Sequence, residues 1–381
     1  MLIAVIGGKL QGVEAVYLAQ KAGFKTLVID KNCNAPATGL CDRFLEYEFS
    51  LEHPVPQDCP RVDIILPAIE DTGVLTAVKT WARIKNIPLA FDPDAYRLSS
   101  SKLKSDALFR KMNLPAPRYW PDCGFPVVVK PDQASGSQGV EVFNDSKEFL
   151  SRFPNKQKQG NRVIQEYLEG PSYSIEVVGR PGNYQTLQVT DLDMDKSYDC
   201  KRVTAPTKLP SHQIRRFEAM ALAIAEDIHL RGIMDVEVVL NNNELKLFEI
   251  DARFPSQTPM TVFWSTGINM VQMLGHLCLN KNIPDSGQNR ERFVIVEHIR
   301  VSGTNLDVLG EHIMAIDGPL TLQFNFFGAK EAITSYLPGK TQWVATLIFS
   351  GNTHEAVTAK RQNCHEQILE NASLIHEEPL N

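Results

Sequence analysis

Residues 235–256 read Asp-Val-Glu-Val-Val-Leu-Asn-Asn-Asn-Glu-Leu-Lys-Leu-Phe-Glu-Ile-Asp-Ala-Arg-Phe-Pro-Ser. Two runs that mix acids with apolar residues flank the polar turn Asn241-Asn242-Asn243, the pattern of a β-hairpin. Side chains alternate between faces along a strand. Asp235 and Glu237 therefore share one face, and Glu249, Asp251 and Arg253 share another. Val236, Val238, Leu247 and Ile250 lie between the acids and should face a core. Pairing the strands brings Glu237, Glu249, Asp251 and the Arg253 guanidinium to one place. Carboxylates held together repel unless a cation sits among them, and an oxygen-rich set suits Mg²⁺. The plainer reading is an exposed acidic hairpin balanced by surface lysines, and the apolar flanks count against it.

The rest of the chain sets bounds on partners. A length of 381 residues suggests two or three domains with ample core. The formal charge, 39 − 45 = −6, does not favour nucleic acid or an anionic membrane as the main partner. The longest apolar runs, such as 64–67, 127–129 and 345–349, are strand-sized and far short of a membrane span. No basic and apolar leader precedes the first strand. The seven cysteines are scattered, with no Cys-x-x-Cys pair. That argues for reduced thiols, a cytoplasmic protein and no structural zinc. No Gly-x-Ser-x-Gly occurs, which counts against an α/β-hydrolase.

Residues 1–91 alternate strand and helix patterns: strand 2–6, helix 13–22 ended by Gly23, strand 25–30, strand 62–67, helix 73–85. Such alternation argues for a doubly wound parallel sheet, an α/β architecture. Ligands bind such sheets beyond the carboxyl ends of the strands. That points to the loops holding Lys9, Leu10 and Gln11, Asp30 and Lys31, and Glu70, Asp71 and Thr72. Gly7-Gly8 with Gly12 is not spaced as Gly-x-Gly-x-x-Gly, so a nicotinamide dehydrogenase is poorly supported.

Ser99-Ser100-Ser101 should cap a helix over 102–111, placing Lys102 and Lys104 on its first turn within reach of a phosphate. Phe125–Lys130 is a strand that delivers Lys130 and Pro131 to the loop Ser135-Gly136-Ser137-Gln138-Gly139. Backbone N–H groups of such a loop can close over phosphates as an anion-binding nest. It is not a Walker loop, because no Gly-Lys-Ser/Thr follows and no helix begins there. Strand 162–166 runs into Gln165–Gly170, where backbone groups at Glu166, Tyr167 and Leu168 could read a nucleobase edge, with Glu169 following. In strand 172–178, Ser174 and Glu176 share a face. Arg231, before the hairpin, could bind a carboxylate bidentately. Residues 258–279 read as a single Met- and Leu-rich helix, a core element. Strands follow near 293–301, 320–326 and 342–349, and a helix near 353–370.

Lys104, Lys130, the loop 135–139, the stretch 165–170 and Glu237…Glu249-Ile-Asp251-Ala-Arg253 together resemble the ATP-grasp ligases. The separation of the two glutamates, 249 − 237 = 12, is like that of the family's magnesium carboxylates, and Asp251 stands where many members have Asn. Whether Lys102 or Lys104 is the matching lysine stays open. The resemblance implies an N-terminal Rossmann-like parallel-sheet domain over 1–97, a small α+β lid domain over 98–180 and a C-terminal α+β domain over 181–381. It implies ATP and Mg²⁺, with Lys9, Leu10 and the lid residues at the nucleotide and Glu237, Glu249 and Asp251 at the metal. Gly8–Gly12 and Asp251–Pro259 carry a narrower likeness, which implies two amino-acid substrates, 3-methyl-D-ornithine as acyl donor and L-lysine as amine. On that reading, an acyl phosphate forms and the lid excludes water. Arg253 and Arg231 serve the reacting groups. Gln11, Glu70, Asp71 and Thr72 meet L-lysine, while Ser174, Glu176, Asp235 and Ser256 meet the donor. The alternative within the family is another carboxylate–amine ligase of amino-acid metabolism, D-alanine–D-alanine-like or carboxylase-like.

Overall fold

The computed structural model describes residues 1–134, 136–154, 161–281 and 292–377. The chain divides into two units. One comprises 1–91, 192–208 and 253–381, and the other comprises 92–191 and 209–252.

The first unit holds a parallel sheet in the order Arg43–Glu46, Lys25–Asp30, Leu2–Ile6, Ile64–Pro67. Helix Leu10–Lys21 is the crossover between Leu2–Ile6 and Lys25–Asp30, and helix Thr72–Lys85 follows the last strand and leads back to a parallel bridge between Ile65 and Leu89. Strands covered on both faces read as unbroken apolar runs, as Leu2–Ile6 does. Ile6, Ile29, Ile65, Val78 and Trp81 build the core beneath the second helix. The first helix begins at Leu10, three residues before the expected start, with Gly12 inside its first turn. A Cβ at Gly12 would lie 2.2 Å from the Gly7 carbonyl oxygen. Close strand-to-helix packing alone therefore accounts for the Gly7/Gly12 pair.

A second sheet of this unit is antiparallel, in the order Cys200–Ala205, Phe293–Ser302, Gln342–Gly351, Ala329–Thr334, Thr321–Phe326. The helix His354–Glu377 lays Val357, Cys364 and Ile368 on it. The expected single helix over 258–279 is two, Thr258–Thr266 and Met270–Cys278. Gly267 ends the first in the left-handed region, at φ 85°, and the Asn269 side chain caps the second by accepting from the Gln272 N–H. Apolar periodicity runs through this break and hides it. Among the described residues, no helix is long and apolar enough to cross a membrane.

The second unit holds two sheets. In the smaller, Val127–Pro131 lies between Glu141–Phe143 and Arg162–Glu166, over a core of Phe143, Phe149 and Ile164. The larger includes Glu244–Asp251, Gly232–Asn241 and Ser172–Arg180, paired antiparallel in that order. Helices Lys102–Lys111 and Ser211–Asp227 contribute Leu108, Phe109, Phe217, Met220 and Ile224 to its core face. Val236, Val238, Leu247 and Ile250 meet them there.

Strict alternation cannot put both Leu247 and Ile250 inward. The ladder resolves this with a bulge: Glu237 pairs with Glu249 and Val238 with Leu247, leaving Phe248 as the extra residue. A slip of one residue would otherwise turn Glu249 and Asp251 into the core.

Candidate active site

The hairpin register sets the second unit's site. Glu237 stands opposite Glu249, and Asp235 opposite Asp251. On the other side of the same strand, Glu237 stands opposite Ser174, and Asp235 opposite Glu176. Directly paired residues point to the same face, with Cβ atoms about 5 Å apart. Two rows of three result: Ser174–Glu237–Glu249 and Glu176–Asp235–Asp251. Ser174 and Glu176 are fully buried, and the Ser174 hydroxyl donates a short hydrogen bond to Asp235.

Lysines reach this acid patch from two elements. Lys102 Nζ lies 2.8 Å from Glu249 Oε1 and donates to the Ala134 carbonyl at 2.7 Å. Burial works against its charge, yet Glu249, Asp251 and Glu237 together hold the ammonium above the usual lysine range. Lys104 lies one turn position away and points elsewhere, donating to the Arg97 carbonyl at 3.2 Å. Of the two lysines, Lys102 is the one that reaches the acid patch. Lys130 sits 5.3 Å from the centre of the Phe248 ring, the bulged residue. Burial draws its ammonium below the usual range, with Glu249 pulling the other way.

Asp132 joins these parts and was not anticipated. Its Oδ1 accepts from Ser101 Oγ at 2.8 Å and from the Leu103 N–H at 3.0 Å. The strand carrying Lys130 is thereby tied to the first turn of the helix carrying Lys102. The Asp's place two residues beyond Lys130 was the signal. Of the glycine loop, Ser135 lies outside the described residues. Gly136, Ser137 and Gly139 all take positive φ, at 58°, 57° and 71°. A Cβ at Gly139 would come 3.0 Å from the Pro131 ring, so this position needs glycine on both counts. Gln138 lies between them. The stretch 165–169 is more occupied than expected. Glu166 N–H and Tyr167 N–H donate to the Arg118 and Pro126 carbonyls, and the Glu169 carbonyl accepts from Asn241. The Glu166 carboxylate takes Lys246 at 2.5 Å and Arg118, which hold it below the ordinary range despite partial burial. Gln165 is buried, and Leu168 follows Tyr167 at the end of the strand. Arg231 is exposed and anchors through its backbone N–H to Asp92 Oδ2 at 2.8 Å.

The first unit gathers a separate polar set. Glu70 Oε1 accepts from Gln11 Nε2 at 2.9 Å and lies 2.8 Å from Arg253 Nη2. Asp71 instead caps the helix Thr72–Lys85 by accepting from the Val74 N–H, and Thr72 opens that helix. Lys9, exposed, occupies the N-cap of the first helix with Leu10 next to it. Ser256 Oγ donates to Glu311 Oε1 at 3.3 Å. Glu311 was not foreseen; burial pushes its carboxyl up to about 7. Among the described residues, the metal-type group of three with all ligand atoms within 4.8 Å is Asp195, Asp199 and His312. Its carboxylates accept backbone N–H groups of Ser197, Gly310 and His312, which marks a braced loop.

A family model described as an ATP-grasp domain matches residues 99–257. The span opens before Lys102 and closes after Arg253. At the level of whole chains, 33% identity extends over 94% of this chain and 93% of the 3-methyl-D-ornithine–L-lysine ligase of Methanosarcina mazei. The ligase of the same name from Methanosarcina barkeri is 31% identical over 94% of this chain and 95% of its own. The chain belongs to the ATP-grasp ligase family that includes these enzymes. Among solved structures, the biotin carboxylase domain of Hydrogenobacter thermophilus 2-oxoglutarate carboxylase superposes with a TM-score of 0.71 at 14% identity, covering 95% of this chain and 89% of that one. N5-carboxyaminoimidazole ribonucleotide synthetase from Thermotoga maritima gives 0.65 at 18% identity, covering 96% and 98%. At these identities the likeness is one of fold.

Proposed function

We propose that this chain is an ADP-forming ligase that joins the carboxyl group of 3-methyl-D-ornithine to the N6 amine of L-lysine, a step of pyrrolysine biosynthesis. The observation that carries the reading is the near full-length likeness to the ligases of that name. The acid rows and their lysines supply its chemistry.

A carboxylate is a poor acyl donor because its leaving group would be oxide. Phosphoryl transfer from ATP turns that oxygen into part of a phosphate, which leaves readily when an amine attacks. The transfer depends on positioning and charge neutralisation more than on covalent help. Lys102 and Lys130 offset phosphate charge, and the 136–139 backbone offers N–H groups beside them. Glu237, Glu249 and Asp251 form an all-oxygen donor set on one sheet face, which fits Mg²⁺. Held by these carboxylates, the ion would supply positive charge to offset charge developing on the phosphates. Arg253, oriented by Glu70, serves the transferring group and the later oxyanion. Glu176, Asp235 and Ser174 suit the donor's amines. Gln11, Glu70, Asp71 and Thr72 suit the α-groups of L-lysine. Arg231 and Ser256 are assigned to the donor carboxylate. Functionally we divide the chain as 1–97, 98–180 and 181–381.

Lys102→Ala is expected to lower kcat/KM for ATP roughly a hundredfold, about 2.7 kcal/mol, with Lys104→Ala within threefold of the parent. Steady-state ADP release checks both, and the reverse ranking would return the role to Lys104. The route itself is tested with ¹⁸O in the donor carboxylate. Label should appear in released phosphate, and the product mass should equal that of the two amino acids less one water. Label confined to AMP would mean an adenylate route and overturn the proposed one.

A further inference from the structure

Asp106 lies four residues after Lys102 on the helix Lys102–Lys111, so the two side chains share one helix face. The acid is buried, with only 5% of its surface exposed. Its Oδ2 accepts a short hydrogen bond from the Tyr119 hydroxyl. Burial raises the Tyr119 phenol well above its ordinary range, so the phenol keeps its proton and donates. The Arg110 guanidinium, one helical turn beyond Asp106, covers the Tyr119 ring at 5.2 Å.

Tyr119 is fixed in turn by the strand Arg162–Glu166. The Trp120 N–H donates to the Ile164 carbonyl at 3.1 Å, and the Arg118 carbonyl accepts from the Glu166 N–H at 2.8 Å. Tyr119 bridges Gln165, and Gln165 pairs with Val128 on its other side. Directly paired residues point to the same face. Val127, Val129 and Ile164 occupy the opposite face, in the core of the small sheet. Tyr119 therefore stands on the face that carries Lys130.

Two anchors thus join the helix of Lys102 to the sheet of Lys130. One is Asp132, which meets Ser101 and the Leu103 N–H. The other is the Tyr119–Asp106 pair, five residues beyond Ser101, or about 7.5 Å along the axis. One anchor lets a helix pivot, and two fix its direction. Charge adds to geometry. Burial pushes the Asp106 carboxyl above the usual range, against the Tyr119 hydroxyl and the charges of Lys130, Arg110 and Lys102. Burial also works against the Lys130 ammonium, while Glu249, Asp106 and Glu237 act for it. Glu249 and Glu237 belong to the proposed metal set, whereas Asp106 does not. Apolar packing ties elements together without burying a charge, and replacing buried ionic groups by it is often neutral for stability. An acid kept beside two ammonium groups points to a task in holding them.

We propose that Asp106, locked by Tyr119, is a positioning residue that sets the Lys130 ammonium against the phosphates of ATP. The inference rests on the reading of Lys130 as a phosphate contact.

The test is MgADP binding to the full chain, measured by calorimetry for the parent, Asp106→Asn, Tyr119→Phe, Lys130→Ala and Asp106→Asn combined with Lys130→Ala. Asp106→Asn keeps the side chain's shape and should weaken binding about tenfold, and Tyr119→Phe about fivefold. Beside Lys130→Ala, the Asp106→Asn change should cost less than about twofold, because residues that act through one another do not add. An undiminished tenfold loss in that background would mean that the pair only braces the helix, and would overturn the proposal. Parent-like binding by Asp106→Asn, with weak binding by Lys130→Ala, overturns it too and leaves the phosphate reading standing. Parent-like binding by Lys130→Ala overturns both. Should Asp106→Asn fail to fold, Tyr119→Phe goes through the same cycle. A loss that vanishes beside Lys130→Ala supports the proposal, and an additive or absent loss removes it.

Discussion

Glu249→Gln is expected to slow amine-dependent ADP release roughly a thousandfold, about 4 kcal/mol of transition-state stabilisation. The substitution keeps the side chain's shape and its place opposite Glu237. What it removes is one negative charge at the centre of the acid rows. That charge has two tasks. Under the proposed assignment it would help hold Mg²⁺ against the phosphates, and it pairs with Lys102, whose ammonium lies 2.8 Å away. A glutamine oxygen can do neither at comparable strength, since charge-assisted hydrogen bonds are about twice as strong as neutral ones. Raising Mg²⁺ should recover part of the rate by mass action. The fold should survive, because the core lies on the opposite face with Val236, Val238, Leu247 and Ile250. Glu244→Gln is the control on the same strand. Its surface pair with Arg216 is worth little, and the rate should match the parent. Parent-like ADP release by Glu249→Gln would remove the metal assignment.

Much of this site is legible in the chain because strand periodicity is a local property. Asp235, Glu237, Glu249 and Asp251 declare their face through the valines and leucines between them. The turn at Asn241–Asn243 declares the pairing, since Asn242 and Asn243 both adopt the positive φ that a tight hairpin turn needs. The bulge at Phe248 was not legible, because it shows only as a mismatch between Leu247 and Ile250 that a strand reading passes over. That Lys102 rather than Lys104 meets Glu249 was not legible either, since both lie on one helical turn and Asp132 ties the start of that helix to the strand carrying Lys130. Glu311, His298 and Glu297 were missed for a related reason. Each sits in or beside an apolar stretch, and partners as distant in sequence as Gln257, Thr346 and Arg361 give it meaning. Short strands such as Arg43–Glu46, Asn305–Val308 and Ala329–Thr334 carry too few residues for alternation to rise above loop composition.

Glu297→Ala is expected to destabilise the first unit by about 3–5 kcal/mol, the usual cost of removing one partner from a buried ion cluster. Glu297 lies mid-strand in Phe293–Ser302 with no side-chain exposure. Arg202 Nε from the neighbouring strand stands 3.2 Å away. Arg361 Nε and His365 Nε2, both from the C-terminal helix, stand at 2.7 and 2.6 Å. One carboxylate thus joins a strand, its neighbour and a helix, and its loss leaves two guanidinium groups partly desolvated and facing each other. Burial works against the charge, but His365 and Arg361 prevail and hold the carboxyl below its ordinary 4.5. A depressed carboxylate binds fewer protons folded than unfolded, so its stabilisation is present above about pH 4.5 and is lost as pH falls through the lower folded value. Urea unfolding should therefore separate parent and variant widely at pH 7 and narrowly near pH 3. A variant within 1 kcal/mol of the parent at pH 7 would mean that the helix is held by Val357, Cys364 and Ile368 alone. A gap that widened on acidification would reverse the assigned sign.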